Sequence, residues 1–180
     1  MFDLTTQNFE ISDELQIRKI LEKNTGFNWI FDKNDDKYAY DLKAWRYDVF
    51  KDGRYNKNFM GFIEIEVGNG WFDQWPENYY CVSFLYRKIY KFDWDKKEWI
   101  GLRKDADRAF YLKFNSSQTN CFCLKISDID QIGTPSRRNK ENEKYNYSFM
   151  EVDTNGVIWG VKNCIEYIAE NFKMMRYNSK

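Results

Sequence analysis

This chain of 180 residues contains no histidine. That absence excludes His-based triads, His-ligated zinc and any imidazole general base. Its 4 cysteines, Cys81, Cys121, Cys123 and Cys164, form no CxxC pair, so a zinc ribbon is not expected. Cys121 and Cys123 alternate along an expected strand and read as buried apolar residues. Its 2 prolines, Pro76 and Pro135, fall in stretches that read as irregular. No run is long and apolar enough to span a bilayer, and the first residues carry neither a basic nor an apolar leader segment. The reading is therefore a cytoplasmic protein with reduced thiols and no membrane partner. There is no charge excess of either sign, since 28 basic residues balance 28 acidic ones. Bulk charge thus gives no sign of a nucleic-acid binder, although a cluster of acids would mask a local basic patch in the sum.

What the chain does have is 43% hydrophobic and 19% aromatic residues, enough for one folded domain over 1–180. Ser12-Asp13-Glu14 reads as a helix start with Ser12 as its cap, and Gly26 as its left-handed stop. Leu15, Ile17, Ile20 and Leu21 form the apolar stripe. Phe27 to Phe31 reads as a short strand and Tyr79 to Leu85 as the next strand of the sheet after the hairpin described below. Arg87 to Phe92 fits a strand or a helix. Trp99 to Leu102 and Ala109 to Phe114 read as strands, Cys121 to Ile126 as another strand or a short buried run, and Ser127 to Tyr147 as an exposed loop. Val161, Cys164, Ile165, Ile168 and Phe172 stand at helical spacing near the end. The expected fold is mixed α/β (α+β), a central mixed sheet with an N-terminal helix, a long hairpin and a C-terminal helix.

The hairpin is the most informative stretch. Two aromatic and β-branched runs flank Lys51-Asp52-Gly53-Arg54, and Asp-Gly between such runs signals a two-residue turn. That turn pairs residues whose numbers total 105, so Asp41 faces Glu64. Glu64 and Glu66 alternate with Ile63, Ile65 and Val67, which places Asp41, Glu64 and Glu66 on the face opposite the core. Three like charges on one patch destabilise a sheet unless a cation neutralises them, and hard oxygen ligands suit Mg²⁺ or Mn²⁺. On this reading Asp41→Ala relieves crowding in the metal-free protein. The alternative reading of the same spacing is a solvated face of an amphipathic strand.

Tyr40-Asp41-Leu42 followed by Ile63-Glu64-Ile65-Glu66 resembles the PD-(D/E)xK, or restriction-endonuclease-like, nuclease superfamily. The resemblance spans residues 12 to 90 and departs from the family in one place, where Glu66 replaces the lysine of Glu-x-Lys. It implies Asp41, Glu64 and Glu66 as metal and catalytic residues and Glu14 as an outer ligand from the helix. Lys43 or Lys88 would supply the missing ammonium. Arg87, and Arg137, Arg138 and Lys140 in a basic tract, would contact phosphates. The implied activity is metal-dependent hydrolysis of DNA by a phage or mobile-element enzyme, and a homodimer would be in keeping with the family. The alternative is an inactive relative acting as a protein-binding or inhibitor protein, favoured by the lost lysine and the neutral charge.

Overall fold

The computed structural model describes residues 4–26, 28–36, 39–68, 71–137 and 148–178. Helix α1 runs Leu4–Thr25 and ends as expected, with Gly26 at φ 88°. Its backbone is already helical eight residues before Ser12, so Ser12 is an interior position and not the cap. Ile17 and Leu21 are buried and Ile20 packs beside them, but Leu15 points outward.

Strands β1 (Trp29–Lys33), β2 (Leu42–Val49) and β3 (Tyr55–Gly68) form an antiparallel meander. The helix-facing side of β3 is Ile63, Ile65 and Val67, as the alternation requires. The turn differs from the one expected. Val49 pairs with Tyr55, Phe50 N–H donates to Arg54 O at 2.8 Å, and Gly53 N–H donates to Phe50 O at 3.0 Å. Gly53 alone takes a positive φ, 81°, so three residues, not two, make the bend. This shortens the register by one. A bulge opposite Ala44 and Trp45, where Met60 is the extra residue, then restores it, and Leu42 pairs with Ile63 as the two-residue turn would have it. Two departures cancel, and Asp41 arrives beside Glu64 after all. Gly61 makes the bulge possible: a Cβ there would lie 2.3 Å from Arg108 O and 2.4 Å from Phe172 Cε1.

After β3 the chain forms β4 (Cys81–Leu85), the single helical turn α2 (Tyr86–Ile89), β5 (Tyr90–Asp93) and β6 (Glu98–Leu102). None of these joins the hairpin's sheet, which corrects the expectation for residues 79–85. The neighbour of β3 is β7 (Ala109–Asn115), paired in parallel, followed by β8 (Cys121–Lys125). The stretch expected as a loop from Ser127 carries α3 (Ile126–Ile132), pinned by buried Ile126 and Ile129, and β9 (Thr134–Arg137). Strands β10 (Ser148–Asp153) and β11 (Ile158–Trp159) precede helix α4 (Val161–Asn178).

The result is the mixed α/β architecture expected. A six-stranded sheet runs β1-β2-β3-β7-β8-β11, and a smaller one runs β4-β10-β9. Helices α1 and α4 cover one face of the large sheet: Ile17, Leu21, Cys164, Ile168 and Phe172 meet Phe31, Ile63, Phe110 and Leu112. Phe84, Met150 and Val152 of the small sheet cover the other face, over Tyr111, Phe122 and Leu124. Glu64 and Glu66 belong to this second face. No helix of the described residues is long and apolar enough to cross a membrane.

Candidate active site

Glu64 stands in the middle of β3, only 3% exposed. A carboxylate so deeply placed needs charged partners. It has two. Lys88 Nζ lies 2.5 Å from Glu64 Oε1, and Arg103 Nη1 lies 3.3 Å from Glu64 Oε2. Burial pushes the Glu64 carboxyl up to about 7 and the Asp41 charge adds to this, while Lys88 and Arg103 pull it down. Burial alone would lower Lys88, but the carboxylates of Glu64 and Asp41 outweigh it and hold the ammonium above its ordinary range.

Asp41 lies just before β2. Its Oδ2 accepts the Ile65 N–H at 2.7 Å, extending the hairpin ladder with a side chain, and sits 3.7 Å from Lys88 Nζ. Lys88 Nζ also donates to Ile65 O at 2.7 Å. Three oxygens therefore converge on one ammonium: Asp41 Oδ2, Glu64 Oε1 and the Ile65 carbonyl. Lys88 reaches this point from α2, whose buried Ile89 anchors the turn and whose entry is held where Leu85 N–H donates to the Tyr111 hydroxyl at 3.4 Å.

Arg103 closes the site from the far end of β6. Its Nη1 also donates to Lys88 O at 3.2 Å, and its guanidinium lies 4.3 Å from the Tyr40 ring centre. Arg103 thus buttresses both the acid and the turn that carries the lysine.

Glu66 is directed elsewhere. Its Oε1 pairs with Lys113 Nζ at 2.7 Å, its β-register partner, and its Oε2 accepts from the buried Tyr111 hydroxyl. The three-carboxylate cluster expected from the sequence is accordingly not formed. Among the described residues no three acidic or cysteine side chains group closely enough to hold a metal ion. The reason is cross-strand pairing: β7 supplies a lysine directly opposite Glu66, and only Asp41 and Glu64 share a cation.

The other sequence candidates separate clearly. Glu14 pairs with Lys33 at 3.2 Å and lines, with Asn34 and Asp41, a cleft of about 300 Å³ beside the centre. Lys43 pairs in register with Phe62, and it is Lys88 that reaches the acids. Arg87 is exposed on α2 next to Lys88. Arg137 ends β9, while Arg138 and Lys140 lie outside the described residues. Sequence reasoning missed Arg103 and Tyr111, which no local motif marks.

No family model matches the chain, and no curated protein matches it. A solved structure described as a nuclease from a fusselovirus is similar over 97% of this chain and 98% of that one, with 14% identity and a TM-score of 0.48.

Proposed function

We propose that the protein is a metal-dependent nuclease that hydrolyses DNA phosphodiester bonds at Asp41, Glu64 and Lys88. The observation that carries this reading is the cradle around Lys88 Nζ. Asp41, Glu64 and the Ile65 carbonyl already gather about one cation. Two carboxylates and a carbonyl are a hard-oxygen donor set, and these residues would hold Mg²⁺ or Mn²⁺. When bound, the ion supplies an acidified water and charge neutralisation at phosphorus.

The chain's own groups do the rest. Lys88, on a short turn, orients the attacking oxygen and stabilises negative charge gathering on the phosphoryl group. Arg103 holds Glu64 in place, so the acid keeps its orientation when Lys88 turns toward substrate. Glu66 is held by Lys113 and Tyr111 and positions β3 against β7. Glu14 faces the same cleft as Asp41 and orients water there. Arg87, exposed beside Lys88, meets the phosphate backbone. A lysine at the acids counts against one of the two grounds for an inactive, protein-binding relative, the lost lysine.

The test is cleavage of DNA by purified protein with Mg²⁺ or Mn²⁺. Asp41→Asn, Glu64→Gln and Lys88→Met should each lower the rate by about 100-fold or more. Equal cutting by all three variants, or none by the wild type with either metal, rules this reading out.

A further inference from the structure

Between the lysine and the arginine of the centre, the chain leaves the body as a two-stranded ribbon. Strand β5 begins directly after α2, and β6 ends directly before Arg103. Both roots are fixed at the acids: Lys88 and Arg103 each touch Glu64, and Arg103 N–H donates to Ile89 O at 2.9 Å. The ribbon and the turn at its root carry a continuous row of rings. Tyr90 stacks on Tyr86 with centroids 4.0 Å apart, and Tyr86 meets Trp99 at 5.0 Å. Trp99 meets Phe92 at 4.9 Å, and Phe92 meets Trp94 at 4.9 Å. The row begins with buried Tyr90 and ends in solvent at Trp94, which is 82% exposed.

An exposed tryptophan at a ribbon tip does not stabilise the fold, because its ring removes little area from water. Along the ribbon Lys91, Lys96 and Lys97 alternate in the sequence with Asp93, Asp95 and Glu98, so it carries no net charge and what it offers a ligand is its rings. Exposed ring faces that begin beside Lys88 and Arg103 suit unpaired nucleotides, whose bases stack on aromatic side chains. A duplex offers its bases only in the grooves. A strand whose backbone crosses Lys88 would bring its neighbouring bases over the rings that lead away from that residue.

We propose that the β5–β6 ribbon is a stacking platform for the unpaired bases of single-stranded DNA, with Trp94 and Trp99 as its contacts. This rests on the nuclease reading of the Asp41–Glu64–Lys88 centre, and it specifies the substrate as DNA that is single-stranded beside the scissile bond.

The experiment is binding of a fluorescein-labelled oligothymidylate, followed by anisotropy in EDTA, with a duplex of mixed sequence as the second probe. Trp94→Ala should weaken the single strand about fivefold or more and the duplex little, and Trp94→Phe should restore binding. Since Trp94 is exposed, the variant should fold as the wild type does, and its melting temperature checks this. No loss with Trp94→Ala, an equal loss on both probes, or no binding by the wild type overturns the proposal. So does a variant that loses self-association in sedimentation while keeping its oligonucleotide affinity, which would assign the ribbon to a second copy of the chain. Ribbon-dependent binding without metal-dependent cleavage would leave the platform standing and refute the nuclease reading alone.

Discussion

Lys88 Nζ lies 2.5 Å from Glu64 Oε1 although the two residues are 24 positions apart and on different elements. The turn that follows β4 thus delivers a lysine to the acids of the hairpin. Glu64 is buried and Lys88 partly so, with side-chain exposures of 4% and 19%, so the pair's energetics depend on both partners.

Glu64 should make the metal-free protein more stable in mild acid than in mild base. Its carboxyl titrates at about 7 in the folded chain against an ordinary 4.5, so the folded protein holds the proton more tightly. The stabilisation is full below about 4.5 and is lost as pH rises through about 7, a difference on the order of 3 kcal/mol. Denaturant melts in EDTA across pH 4.5 to 8 measure it. Glu64→Gln should flatten the profile over that window. An unchanged slope in the variant would show that Glu64 is not the group responsible.

Asp41→Ala should destabilise the metal-free protein by about 1–2 kcal/mol. The sequence suggested relief of carboxylate crowding, but the structure gives Asp41 the Ile65 N–H and a share of Lys88. Removing it orphans a ladder donor at the open end of the hairpin. Chemical denaturation compares the two, and a stabilised variant would restore the crowding argument.

Gly61→Ala should cost about 2 kcal/mol or more, since the new methyl would press on Arg108 O and the Phe172 ring. Gly53→Ala, which meets no atom but sits at φ 81°, should cost about 1 kcal/mol. Thermal melts of the two variants give the order. If Gly61→Ala were the milder change, the bulge would not be the close-packed point described above.

The acids' face was legible because Ile63, Ile65 and Val67 alternate with Glu64 and Glu66, and a period of two needs only local residues. The hairpin partner was legible as well, though through a turn type and a bulge that offset one another. The closing helix followed from Cys164, Ile165, Ile168 and Phe172. Strand order was not legible. Residues 81–85 are as β-prone as 109–115, and which of them lies beside β3 is decided by which face each buries in the finished core. Glu66 shows the consequence. Its partner Lys113 is 47 positions away on a parallel strand, a pairing that no local pattern marks. Lys43 and Lys88 look alike in the sequence, and it is the burial of Ile89 and the Leu85 N–H bond to the Tyr111 hydroxyl that set the turn carrying Lys88 at the acids.

On the proposed reading, Asp41, Glu64 and the Ile65 carbonyl form a cation cradle that Lys88 fills when no metal is bound. Calorimetric titration of Mn²⁺ into the wild type, Asp41→Asn and Lys88→Met tests this most directly. The wild type should bind Mn²⁺, Asp41→Asn should lose at least about tenfold in affinity, and Lys88→Met should bind at least as tightly as the wild type, its competing ammonium gone. Identical titrations for the wild type and Asp41→Asn, or weaker binding on removal of Lys88, would contradict it.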